Sequence, residues 1–199
     1  MLLIMGAFLF PGMTTYAQAK LASGDAHVLK GQSVINLQYD YSNMAVGKFK
    51  SADDYVADRV ADMNKKKPGD GDRWAEAWKN DRTSRFQPMF EKNLNARLEK
   101  FGVTGKQNAT DAKYTLIVKT IFTEPGYNIG ISRMNAWIKM EVNLVETANP
   151  GSVLAKIMMK REDSKNMMGY DYDTGGRIQS AYDNAGEDLG SFLVKNALK

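Results

Sequence analysis

Histidine and cysteine, the residues most used in nucleophilic and metal chemistry, are almost missing from this chain, which holds one His and no Cys. Without thiols there is no disulfide framework, thiolate metal site or Cys nucleophile. A zinc site would rest on carboxylates alone, and a Ser-His-acid triad would have to recruit His27 from an unpatterned stretch. Neither a metal nor another cofactor is therefore expected. Asp171-Tyr172-Asp173-Thr174-Gly175-Gly176 begins like a calcium loop, but glycine stands at the third ligand position and Tyr182 where a bidentate Glu belongs. Asp70-Gly71-Asp72 has no following ligands. Both runs read as helix caps and turns. Gly175-Gly176 ahead of a helix could cradle an anion on backbone amides, although no longer glycine pattern supports it. Paired carboxylates could serve glycosidic hydrolysis, yet nothing singles out a pair among the 23 acidic residues.

Aromatic residues give a better lead. Tyr127, Trp137, Tyr170 and Tyr172 come from turns, loops or the polar side of a strand, where exposed rings serve sugar or protein contacts. The competing reading packs Trp137 under a helix and spreads the tyrosines over sheet edges. Trp74 and Trp78, four apart on one helix face, read as core.

The elements that must position these residues follow from periodicity. Ile35, Leu37, Tyr39 and Tyr41 alternate with polar residues, which marks a half-buried strand. Ser51 caps a helix carrying Val56, Val60 and Met63, and the basic run Lys65-Lys66-Lys67 meets the negative end of its dipole. Asp72 is placed to cap a second helix, which Pro88 interrupts or kinks. Its stripe resumes through Phe90, Leu94, Leu98 and Phe101 and stops at Gly102. Residues 103–113 read as a loop. Tyr114 to Thr123 alternates two apolar faces, as a central strand covered on both sides would. Ile138, Met140, Val142 and Leu144 mark the next strand, and Val153 to Lys160 returns after the turn Ala148-Asn149-Pro150-Gly151. A last helix carries Ile178, Ala181, Tyr182, Ala185, Leu189, Phe192 and Leu193, with Gly186 and Gly190 placed for close approach to the sheet. The expected fold is α+β: a mostly antiparallel sheet of about four to five strands with helices mainly on one face, in the order β-α-α-β-β-β-α.

Leu2 to Phe10 is a short apolar run, followed by Pro11-Gly12 and an Ala17-Gln18-Ala19 site, the layout of a cleaved secretory signal peptide over residues 1–19. Cleavage fits after Ala17 or after Ala19. No basic residue precedes the run, which places the true start upstream of Met1 or residues missing ahead of it. Residues 20–30 read as a flexible lead-in and 31–199 as one domain. The domain holds no further run of membrane-spanning length. Localisation in the periplasm or outside the cell follows. The missing cysteine implies a released product, with no lipid anchor. The net charge of +4 favours anionic envelope surfaces, and export argues against nucleic acid as a partner.

Tyr39-Asp40-Tyr41-Ser42-Asn43-Met44, Glu124-Pro125-Gly126-Tyr127-Asn128-Ile129-Gly130 and 146–155 resemble segments of uncharacterised secreted proteins of Bacteroidetes-type bacteria. The element order is similar to small α/β envelope domains: the TolB amino-terminal domain, CsgG-like lipoproteins and the LptE family. This resemblance implies a non-enzymatic role in envelope assembly and supplies no catalytic residues. Three functions are therefore expected, in this order: binding of an envelope protein or component, binding of a small ligand or glycan, and hydrolysis by two acids.

Overall fold

Period-two patterning places the four longest strands, and backbone pairing supplies the rest. The computed structural model describes residues 19–164 and 173–199. The leader expected over 1–19, apart from Ala19, and the aromatics Tyr170 and Tyr172 lie outside the described residues. In chain order the elements are β1 (Ala19–Gly24), β2 (Val34–Asp40), β3 (Ala45–Val46), α1 (Ala52–Lys66), α2 (Asp70–Asp81), α3 (Gln87–Leu98) and β4 (Thr104–Gln107). Then follow β5 (Tyr114–Glu124), β6 (Tyr127–Asn128), β7 (Arg133–Met134), β8 (Trp137–Glu146), β9 (Asn149–Asp163) and α4 (Thr174–Leu193).

The α+β class holds, but the sheet is wider than expected. Seven of the described strands form it, in the order β1-β9-β8-β5-β2-β4 with β3 also on β5, while β6 and β7 form a separate two-stranded ribbon. The additional strands lie where alternation is absent. β1 occupies the stretch read as a flexible lead-in and pairs antiparallel with β9, and β4 occupies part of the 103–113 loop and pairs parallel with β2. Such edge strands are held by main-chain hydrogen bonds and bury few side chains, so they leave no periodic signal. The expected meander is present, since β5, β8 and β9 pair antiparallel in succession. The other half of the sheet is parallel, because α1, α2 and α3 carry the chain back across it between β2 and β4.

α3 and α4 share one core with the sheet. Ile138, Met140, Val142 and Leu144 of β8 are fully buried beside Leu116 of β5 and Ile157 of β9. Phe90, Leu94 and Leu98 of α3 and Ala181, Ala185 and Leu189 of α4 are fully buried within the same core. Tyr182 stacks on Phe86 with ring centroids 5.0 Å apart, and its hydroxyl shares a 2.6 Å hydrogen bond with Thr120. The opposite face of β5 is not covered as expected. Ile117 is half-buried there beside a row of paired charges, Lys119 with Asp40 at 3.4 Å and Lys156 with Glu141 at 3.1 Å. Cross-strand charge pairs of this kind make a single-layer face compatible with water.

Local signals explain the helix ends. The Ser51 hydroxyl accepts the Asp54 amide at 3.1 Å, as the capping pattern requires. α2 starts three residues earlier than expected, so Asp72 lies inside the helix and Gly69 is its cap, at φ +83°. Pro88 does not end the helical path. A π-helical turn over Arg82–Phe86 precedes it, in which the Gln87 amide donates to the Arg82 carbonyl, and this turn takes up Pro88 near the start of α3 without ending the path.

Gly186 and Gly190 do allow a close approach, but to α3 and not to the sheet. A Cβ at Gly186 would collide with the Phe90 carbonyl, and one at Gly190 with the Arg97 side chain. Alanine normally favours a helix by about 1 kcal/mol over glycine. Gly186→Ala should instead destabilise the fold by about 1–3 kcal/mol, because the clash is with backbone. Urea unfolding reads the sign directly, and a stabilised variant would contradict the packing.

Candidate functional site

The segment between β5 and β8 folds back as a hairpin. β6 and β7 pair Tyr127 with Met134 and Asn128 with Arg133. Gly126 sits at φ +61°, and a Cβ there would strike the Met134 carbonyl, so only glycine fits the root. Arg177, 6% exposed on α4, holds that root from below. Its Nε donates to the Pro125 carbonyl at 3.1 Å, and its Nη2 donates to the Gly126 carbonyl at 3.2 Å and to Thr174 Oγ1 at 3.0 Å. The tip is closed by the Gly130 amide donating to Asn128 Oδ1 at 2.9 Å and by Tyr127 Oη against Ser132 Oγ at 3.2 Å. No such bond covers the tip's apolar side chains: Ile129 is 67% and Ile131 98% exposed.

A cleft of about 420 Å³ opens beneath this hairpin. Tyr127 and Ile129 form one wall, Phe49 and Tyr55 another, and Lys48, Arg59, Glu124 and Arg177 bring charge to it. Tyr55 belongs to an aromatic cluster, with centroids 5.7 Å from Phe49, 5.7 Å from Trp74 and 5.2 Å from Trp78. Burial, opposed by Arg59 and reinforced by Glu124, pushes the Tyr55 phenol above its ordinary range. The Arg59 guanidinium lies 5.6 Å from the Trp74 ring centroid, and its Nε is buried without a hydrogen-bond partner.

A second cleft, of about 310 Å³, runs past Arg85, Met89, Asp173 and Ser180. There the cation is already neutralised, since Arg85 bridges Asp81 at 3.0 Å and also pairs with Asp173. Asp173 is the α4 cap and accepts the Gly175 and Gly176 amides, each at 3.1 Å. Burial raises its carboxyl, but Arg85 and those amides outweigh this and hold it low. The helix-cap reading of this run thus describes what Asp173 does. Among the described residues no group of three or more His, Cys, Asp or Glu could hold a metal ion.

Of the aromatics singled out in the sequence, Tyr127 reaches the cleft. Trp137 does not line it; its ring stacks on Phe122 at 4.5 Å, with the Arg161 guanidinium 5.1 Å above. Tyr170 and Tyr172 lie outside the described residues. Sequence reasoning missed Lys48, Phe49, Tyr55, Arg59 and Arg177. Arg177 carried the clearest signal, as a cation directly beside the apolar stripe that begins at Ile178.

Among the described residues one acidic side chain is buried beside a half-buried acid. Glu162 of β9 is 1% exposed, hydrogen-bonds Asp188 of α4, and leaves its Oε1 without a partner. Burial first, then Asp188 and Asp163, raise its carboxyl from 4.5 to about 9. A general acid needs such a shift, but a substrate could not reach this group in the folded state. The consequence is for stability. Folded Glu162 keeps its proton at neutral pH while the unfolded chain loses it, so stability falls as pH rises from 4.5 towards 9. Glu162→Gln should raise the urea midpoint at pH ~8, with the gain shrinking towards pH ~5. A gain independent of pH would contradict the assignment.

No protein-family model matches this chain, and no curated protein matches it. Among solved structures it is similar to a PelC dodecamer from Paraburkholderia phytofirmans, at 12% identity and TM-score 0.38, over 91% of this chain and 98% of that one. A single-residue variant of that dodecamer gives 11% identity and TM-score 0.39 over 86% and 96% of the two chains. A Xanthomonas campestris protein of a family of unknown function gives 10% identity and TM-score 0.34 over 82% of each. Likeness this distant carries no function to the present chain. Among the described residues no helix is long and apolar enough to cross a membrane.

Proposed function

We propose that this chain is a non-enzymatic binding protein of the cell envelope, which docks an envelope protein or component through the 127–134 hairpin. The carrying observation is the exposure of Ile129 and Ile131 at the tip of a hairpin whose root is fixed by Arg177 and Gly126. Nothing in the fold requires apolar side chains at that tip. A rigid root and an apolar tip suit docking, because little conformational freedom is lost on contact. Burying both isoleucines against a partner would contribute about 3–6 kcal/mol. The signal-peptide pattern of residues 1–19 and the resemblance to envelope-assembly domains support the location, in the periplasm or outside the cell. The lone His27 at the exposed start of the domain, with no cysteine, supports the absence of catalysis.

A second reading is favoured by the cleft itself: a small ligand or glycan lodged between Tyr127 and Phe49. The two readings separate by mutation, since Ile131 does not line the cleft.

The single change Ile131→Ser touches a side chain that is 98% exposed and outside the cleft, and should alter folding stability by no more than about 0.5 kcal/mol. Co-purification from envelope extracts, with circular dichroism as the fold control, should show at least a tenfold loss of retained partner. A strictly monomeric wild-type protein with nothing retained, or a variant that retains as much as wild type, would overturn the docking role.

A further inference from the structure

The cleft beneath the hairpin has an excess of positive charge that the fold does not use. Lys48, Arg59 and Arg177 line it against the single carboxylate of Glu124, with Asp58 of α1 also within electrostatic reach of Tyr55. Arg177 is spent on the hairpin root. Glu124 is turned to the Gly126 amide, which donates to its Oε1 at 3.2 Å. Asp62, whose carboxyl Lys66 and, from further off, Arg59 hold low, is bridged to Lys66 at 2.9 Å. Among the described residues, Lys48 and Arg59 form no contact ion pair. Each has instead an aromatic neighbour, with Lys48 Nζ 5.2 Å from the Phe49 centroid and Arg59 5.6 Å from that of Trp74.

Stacking fixes the plane of a guanidinium, and because Arg59 Nε is buried, the outer Nη donors are the ones left to meet a ligand. The Lys48 ammonium is exposed and free to swing. Two unpaired cations at one mouth raise the local concentration of anions and bind carboxylate or phosphate oxygens by charge-assisted hydrogen bonds. The remaining lining is of a different character. The Tyr127 ring, 42% exposed, faces a space bordered by Phe49, Val46, Gly47 and Gly126, so a flat body can lie against an aromatic ring. A volume of about 420 Å³ is within the range of small-ligand sites.

We infer that this cleft takes a small acidic sugar, with its carboxylate or phosphate on Lys48 and Arg59 and its ring against Tyr127. The inference rests on the small-ligand reading of the cleft and adds the charge of the ligand to it.

Thermal unfolding of the full mature chain with glucuronate, glucose 6-phosphate and glucose tests the inference, and includes both sources of negative charge. Either acidic sugar, at ~10 times its dissociation constant, should raise Tm by about 3–5 °C, and glucose should not. The gain should fall as salt rises, since the charges are near the surface. Lys48→Gln and Arg59→Gln should each weaken affinity about tenfold, roughly one charge-assisted hydrogen bond. Lys48 is exposed, so its variant keeps the fold and reads the charge alone even if Arg59→Gln loosens Trp74. Equal response to glucose and the acidic sugars would keep the cleft reading and overturn the inference. No response to any of the three would overturn both, and so would full affinity in Lys48→Gln overturn the inference.

Discussion

The backbones of α3 and α4 touch where Gly186 faces the Phe90 carbonyl and Gly190 faces Arg97 and the Leu94 carbonyl. Interior protein packing leaves no slack, so this spacing determines where the rest of the helical layer can sit. With α4 held against α3, Tyr182 reaches Thr120 on the sheet and stacks on Phe86, and Leu189 and Ala185 reach the core. The same placement carries Arg177, one helix turn past the Asp173 cap, to the carbonyls of Pro125 and Gly126. The hairpin and the cleft thus depend on a helix–helix contact far from either. A methyl group at Gly186 would act on that contact.

The sheet was legible in the sequence wherever it buries side chains. Ile138 to Leu144 alternates, and each apolar member is fully buried. β1 and β4 were not legible, because Ala19–Gly24 and Thr104–Gln107 are mostly exposed and pair through the main chain. β5 shows a different limit. Its two apolar faces suggested cover on both sides, yet the outer face is one layer thick and carries Lys119 between Asp40 and Glu141. An isoleucine tolerated beside charge pairs cannot be told, in sequence, from one under a helix.

The candidate site was legible in part. Tyr127 was found because turn chemistry placed it at a surface, and it does border the cleft. Trp137 was marked by the same logic, but a ring lying along a sheet face finds partners there, in Phe122 and Arg161. Lys48, Arg59 and Arg177 are spread over about 130 residues and come from the turn after β3, from α1 and from α4, so no local spacing could unite them. The glycine pairs divided similarly. Close approach at Gly186 and Gly190 was readable, whereas the partner surface was not, because the helix-to-helix contact is set by tertiary packing.

The proposed recognition surfaces adjoin where the hairpin root, the bend after β3, α1 and the start of α4 meet. Amide chemical-shift mapping during titration with glucuronate locates binding residue by residue. Shifts concentrated at residues 46–49, 55–59, 124–129 and 174–177 are the expected result. Shifts centred on Lys119, Glu141 and Lys156 of the open sheet face, or around Arg85, would contradict binding in the cleft.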